Sequence, residues 1–294
     1  MYIFIIKGGG RMEKQKRVAA IHDISGIGKC SLTAAIPVIS AAGIEAAAMP
    51  TAVLSTHTGN IQGYTYRDLT SDLNPIADHW KNLGITFDGI YSGFLGSTEQ
   101  VDIVSCFIDM FRTDDTVVIV DPAMADGGKM YTTFDMLFAK EMIRLCKKAD
   151  IIVPNLTEAA FLLCEEYLEP PYSKEYIENI LKKLSSLGPE MVVLTGVAFN
   201  DDELGCAVYC RDSDEIFYSF SKKYPGIYYG TGDLFASALT GAYMRGKSIS
   251  ESAEIALEFT NSAIGRTYEA GTDTRLGVNF EQGIADYIKK LGGF

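Results

Sequence analysis

The chain has 294 residues, 47% of them hydrophobic and 22% charged, enough to bury a sizeable core and too apolar to leave any segment disordered. Its 38 acidic side chains outnumber 26 Lys and Arg, and the net charge of −12 argues against a broad nucleic-acid footprint or an anionic membrane surface. No apolar run approaches the ~20 residues of a bilayer span. The six cysteines (Cys30, Cys106, Cys146, Cys164, Cys206, Cys210) show no Cys-x-x-Cys spacing, which fits reduced core thiols in a cytoplasmic protein.

In chain order, MYIFII at the start is too short for a signal peptide. Lys7-Gly8-Gly9-Gly10-Arg11 can all be encoded by purine-only codons, as a ribosome-binding site read through as protein would be. Translation is therefore expected to start at Met12, with residues 1–11 a leader and 12–294 one domain. From Arg17 onward, short apolar runs alternate with longer amphipathic ones, the mark of βαβ units and a mainly parallel sheet. Strands are predicted at 18–21, 44–53, 89–91, 116–120, 151–153 and 191–194. Segments 205–209 and 215–220, joined by Arg211-Asp212-Ser213-Asp214, predict a hairpin at one sheet edge. Beyond Thr231 only helices are expected, over 232–245, 249–264 and 280–291. The fold class is thus a three-layer α/β/α domain, whose ligands bind at the carboxyl ends of the strands.

Two glycine-rich segments lie at such ends. Asp23-Ile-Ser-Gly-Ile-Gly-Lys29-Cys30-Ser31 fails as a P-loop, because Asp23 stands where the first Gly belongs and Cys30 where Ser or Thr belongs. The turn Gly230-Thr231-Gly232-Asp233 leads into a long apolar helix. Its glycines let backbone approach a ligand, and the free N–H groups of the first turn make an anion hole. Asp233 is either a favourable first-turn acid or a general base facing a phosphoryl group.

Gly-Thr-Gly-Asp-Leu-Phe before a helix of small residues resembles the signature of the ribokinase superfamily. Four other segments, in that family's order, resemble pyridoxal kinases: Ser55-Thr-His57-Thr58-Gly59; Tyr91-Ser-Gly-Phe94-Leu-Gly-Ser97; Asp121-Pro-Ala-Met-Ala-Asp126 with Tyr131 behind; and Val153-Pro-Asn155-Leu-Thr-Glu158-Ala, followed by Val193-Leu-Thr195-Gly196. The resemblance implies a ribokinase-like fold without a β-lid and ATP-dependent phosphorylation of the 5′-hydroxymethyl group of a B6 vitamer. It implies Asp233 as catalytic base, and Gly230, Thr231, Gly232, Asn155, Thr195 and Asp126 on the ATP phosphates. Asp121 and Glu158 would carry Mg²⁺, partly through water. Asp23, Ser25, Thr58, Phe94 and Tyr131 would meet the acceptor, under a flap spanning 123–129. A monovalent cation such as K⁺ and a homodimer are further family expectations.

Two segments depart from the pattern. The loop from Asp23 to Gly28 is closer to hydroxymethylpyrimidine kinases, which makes such a pyrimidine the alternative acceptor, and Ala125 stands where the flap usually has Gly. A non-catalytic nucleotide or vitamer binder is the rival from another class. Intact Asp121 and Asp233 speak against it. A sugar kinase is disfavoured because residues 18–64 leave no room for a β-lid.

Overall fold

A computed structural model describes residues 14–293, so the expected leader and the start at Met12 lie outside the described residues. The chain runs β1 (Arg17–Ile27), α1 (Leu32–Ala41), β2 (Glu45–Thr56), β3 (Tyr66–Asp68), α2 (Thr70–Asn82), β4 (Gly89–Ser92), α3 (Thr98–Phe111) and β5 (Val117–Val120). There follow β6 (Ala125–Asp126), β7 (Lys129–Met130), α4 (Met136–Cys146), β8 (Ile151–Ile152), α5 (Leu156–Leu163) and α6 (Lys174–Ser186). The last third holds β9 (Met191–Val197), β10 (Glu203–Cys210), β11 (Glu215–Lys222), α7 (Thr231–Met244), α8 (Ile249–Ala270) and α9 (Ile284–Lys290).

One sheet has the order β11-β10-β9-β8-β5-β4-β1-β2-β3. The central pairs are parallel; β10 and β11 close one edge antiparallel and β3 closes the other. The period of two divides each strand between two cores. Ala19, Ile21, Val118, Val120, Val192 and Leu194 pack beneath α2 to α6. Val18, Tyr91, Ile119, Val193 and Val208 pack beneath α1, α7, α8 and α9. Buried on both faces, these strands read as continuous apolar runs. The strand order reverses between β1 and β4, and the crevice at their carboxyl ends is where an open α/β sheet takes a ligand.

Several expectations are corrected. The supposed loop after Ile21 is strand as far as Ile27. A register shift between His22 and Ile24 lets β1 resume pairing with β2, Ser25 opposite Leu54 and Ile27 opposite Thr56, so pairing overrides the turn-forming Asp, Ser and Gly. For the same reason β2 extends to Thr56, and His22 lies inside β1 rather than at its end; it is fully buried, 4.3 Å from the Tyr91 ring. β3 was not expected. The segment expected to form the flap contains the β6–β7 hairpin, and Met124 and Ala125 at its base are fully buried. Of the supposed core cysteines, Cys30, Cys146 and Cys206 are buried, whereas Cys106 and Cys164 are exposed; all six are free thiols.

Candidate active site

α7 starts at the turn Gly230-Thr231-Gly232-Asp233 because of Gly230. Its φ of 75° lies in the left-handed region, and a Cβ there would stand 2.6 Å from the Lys29 carbonyl oxygen. Both facts demand glycine. Leu234 N–H is the first to bond back, reaching the Gly230 carbonyl at 3.0 Å, so the N–H groups of Thr231, Gly232 and Asp233 have no partner within the helix. Gly232 has no heavy atom within 4 Å of the place a Cβ would take, which leaves open space over the helix end. The Thr231 hydroxyl donates to the Tyr228 carbonyl at 3.1 Å and fixes the approach to the turn.

Asp233 follows in the first turn, and ten of the fourteen residues of α7 are buried, which anchors it. Its carboxyl is pushed up to about 7, chiefly by withdrawal from water. The Ser31 N–H opposes that rise, and the nearby Asp23 charge adds to it. Asp23 and Ser25 are 4% and 1% exposed, and the Ser25 hydroxyl donates to Asp23 Oδ2 at 2.9 Å. Between them and α1 the backbone takes an unusual path, with Gly28, Lys29 and Ser31 at φ 131°, 52° and 51°.

Asp121 leaves β5 at the sheet's carboxyl edge, and its N–H bonds the Ser92 carbonyl at 2.9 Å. Its carboxyl is held well above the usual range by burial and then by the charges of Glu158 and Asp233. Glu158 is also buried and raised by burial, against the pull of backbone N–H groups from Asn155, Met124 and Ala125. It has a second occupation. Glu158 and Asn155 form a capping box on α5: Asn155 Oδ1 accepts from Glu158 N at 2.9 Å, and Glu158 Oε2 accepts from Asn155 N at 2.9 Å. Glu158 Oε1 also accepts from Met124 N at 3.1 Å, and Asn155 Nδ2 donates to the Ala125 carbonyl at 2.8 Å. The base of the hairpin is thereby tied to the start of α5. Thr195 meets Asn155 in a single parallel bridge, while Asp126 is exposed at the hairpin tip with its Oδ1 accepting from Gly127 N at 2.8 Å.

On the acceptor side Phe94 packs 5.5 Å from Phe134, and Tyr131 lies 6.3 Å from the same ring. Thr58 is exposed in the loop after β2. His57 braces that loop: Nδ1 accepts from Gly59 N at 3.0 Å, which leaves Nε2 to donate to the Arg275 carbonyl at 2.5 Å, and the ring stacks on Tyr229 at 5.3 Å. The structure thus gathers Asp233, Asp23 and Ser25 at the β1–α7 side, and Asp121, Glu158, Asn155 and Thr195 at the β5–β8 side.

The sequence reading missed three participants. Phe134 joins Phe94 to Tyr131; Thr157 accepts the Gly128 N–H at 3.0 Å and holds the hairpin; Ser31 opposes the rise in proton affinity of both the Asp23 and the Asp233 carboxyl. Thr157 sits inside the quoted Asn155 segment and Phe134 three residues past Tyr131, so proximity in sequence was the available signal. As for a metal, Asp121 and Glu158 offer hard oxygen donors whose charge no cation offsets, which suits Mg²⁺. Among the described residues no set of three or more His, Cys, Asp or Glu forms a full cage.

Residues 27–277 match the model of a family described as phosphomethylpyrimidine kinase. A crystal structure from Bacteroides thetaiotaomicron, described as that of a phosphomethylpyrimidine kinase, is 38% identical, with a TM-score of 0.90 over 95% of this chain and 96% of that one. A second crystal form contains pyridoxal and is 39% identical, with a TM-score of 0.89 over 93% and 96%. Pyridoxal kinase from Lactobacillus plantarum is 30% identical, with a TM-score of 0.86 over 94% and 98%. The thiamine biosynthetic bifunctional enzyme of Arabidopsis thaliana is 25% identical over 82% of this chain, which spans only 44% of that protein's length. No helix among the described residues is long and apolar enough to cross a membrane.

Proposed function

We propose, for a chain that belongs to the phosphomethylpyrimidine kinase family, that it transfers the γ-phosphoryl group of ATP to the 5′-hydroxymethyl group of a B6 vitamer. The observation that carries this reading is Asp233 in the first turn of α7, beside free N–H groups and open space, with its carboxyl raised to about 7. A base with that proton affinity can take a proton from an alcohol as the new O–P bond forms. The bond from the γ-phosphorus to the β-phosphate oxygen breaks, ADP leaves, and the proton stays on Asp233.

Thr231 and Gly232 N–H groups bind the negative charge of the transferring group, with the helix dipole behind them. Asn155, Thr195 and Asp126 line the nucleotide-phosphate side. Asp121 and Glu158 would hold Mg²⁺, which supplies charge neutralisation on the phosphates. The β6–β7 hairpin, with Tyr131 behind it, shuts water from the transfer. Asp23, Ser25, Thr58, Phe94 and Tyr131 face the acceptor ring.

The acceptor's identity is the finer part of the proposal. The Bacteroides relative crystallised with pyridoxal supports a pyridine ring. The family description and the Arabidopsis relative favour a second reading, a hydroxymethylpyrimidine or its phosphate. Measuring kcat/KM for pyridoxal, pyridoxine, pyridoxamine and both pyrimidines decides between them. Turnover of at least one vitamer well above both pyrimidines is expected, and none of any vitamer would sink the first reading.

A further inference from the structure

The segment between α8 and α9 belongs to no motif of the site, yet three parts of the acceptor side rest on it. It carries a short 3₁₀ turn, Thr274–Leu276. The Thr274 carbonyl accepts from Tyr229 N–H at 3.4 Å, directly before the turn that bears Asp233. The next carbonyl, that of Arg275, accepts from His57 Nε2 at 2.5 Å, directly before Thr58. Gly277, at φ 85°, packs against the chain just past β1, where a Cβ on it would stand 2.3 Å from the Gly28 carbonyl oxygen. Lys29 holds the same segment, its Nζ donating to Glu281 Oε2 at 3.0 Å and to Asn279 Oδ1 at 3.3 Å.

His57 is where these parts meet. Its Nδ1 accepts from Gly59 N–H, so the neutral ring carries its proton on Nε2 and aims it at Arg275. One face stacks on Tyr229, with the ring planes 27° apart. The ring edge fills the place of a Gly28 side chain, since a Cβ there would stand 2.3 Å from His57 Cδ2. A Cβ on Gly59 would likewise stand 2.6 Å from the Tyr229 ring. Both glycines make room for this pair of rings. With acceptor, donor, face and edge all engaged, His57 has one orientation, and it fixes the loops around it.

We propose that His57 is a positioning residue that latches the acceptor loop and the base-bearing turn onto residues 273–281, so that Thr58 and Asp233 keep a fixed relation to each other. The proposal rests on the kinase reading above. His57 touches neither acceptor nor nucleotide in that scheme. Losing the latch loosens the hold on the acceptor and its alignment with the base, and leaves the β5–β8 side of the site as it was. The acceptor KM rises and kcat falls, while KM for ATP holds.

Two substitutions separate the two bonds of the ring. His57→Asn puts an amide where Nδ1 was, able to accept from Gly59 N–H but too short for Arg275; His57→Gln reaches as far as Nε2 and can donate to the Arg275 carbonyl. His57→Asn should lower kcat/KM for pyridoxal about tenfold, most of it as a rise in KM, with KM for ATP within about twofold. His57→Gln should stay within about threefold of the wild type. If the wild type turns over only hydroxymethylpyrimidine, that acceptor replaces pyridoxal in the assay. Trypsin reads the latch itself, because Arg275 is exposed and the bond after it is the one whose carbonyl His57 holds. Release of residues 276–294, followed by mass spectrometry, should be about tenfold faster in His57→Asn than in the wild type or His57→Gln. Equal losses in the two variants, a fall in kcat at constant acceptor KM, or cleavage rates alike in all three proteins would each overturn the proposal. If the wild type phosphorylates neither vitamer nor pyrimidine, the kinase reading has failed and proteolysis alone judges the latch: faster release confined to His57→Asn supports it, and equal rates overturn it.

Discussion

Both ends of the central sheet collect acidic residues, and they treat them in opposite ways. At the amino end Asp109, Asp114, Asp115, Asp150 and Glu190 surround a groove, and cations answer two of them: Arg112 pairs with Asp150 and Lys148 with Asp109. At the carboxyl end Asp121 and Glu158 are buried and Asp233 is half-buried, and no cation figures among the influences on their carboxyls, each of which is raised chiefly by withdrawal from water. Exposed, paired acids cost the protein little and contribute little. Withdrawn, unpaired acids are costly, and they remain where a ligand's charge or a proton completes the arrangement. The difference in their surroundings, rather than the groove at the amino end, locates the chemistry.

The sharpest way to break the comparison is to remove the base. Asp233→Asn should lower kcat by at least about 10³-fold while calorimetry still detects Mg·ATP binding. Activity near that of the wild type would refute the assignment. Next, Asp121→Asn should lower kcat some ten- to a hundredfold and raise the Mg²⁺ concentration needed for half-maximal rate, as read from a metal titration.

The pH profile follows in size. Asp233 must be ionised to accept a proton, so kcat/KM should rise with pH along a limb centred at about 7, and lie about tenfold below its plateau at pH 6. Stability should move the other way. The folded state holds this proton to higher pH than the unfolded chain does. Stability from this group is therefore full below the ordinary carboxylate range and is lost as pH rises toward about 7. Asp233→Asn escapes that loss, so its melting temperature should exceed that of the wild type by more at pH 8 than at pH 5. The smallest effect belongs to the amino end: Arg112→Ala should cost about 1 kcal/mol or less and leave kcat unchanged, because the pair is partly exposed.

The parallel core could be read from sequence because its apolar runs are buried on both faces, so each stretch such as Val117–Val120 announces itself. The continuation of β1 through Asp23 to Ile27 could not, since those residues favour turns and only pairing with β2 makes them strand. β3 and the β6–β7 hairpin are too short to carry a periodic signal. In the candidate site, residues in local motifs were legible: Asp233 after its glycines, Asn155 and Glu158 three apart. Ser31 was not, because its place depends on positive φ at two non-glycine residues, Lys29 and Ser31 itself, which no local pattern announces. Likewise the sequence offers Glu158 as a metal ligand, and the structure adds a capping box on α5 that the sequence analysis did not name.

That double use of Glu158 has a consequence for how the protein assembles. One carboxylate closes the first turn of α5 and also receives the Met124 N–H from a hairpin 34 residues earlier in the chain. The two contacts use the two oxygens of one side chain, and the Asn155 amide and Thr157 hydroxyl tie the same hairpin to the same helix start through Ala125 and Gly128. The roof of the site and the helix beneath it thus form a single folding unit, and opening one by local fluctuation loosens the other.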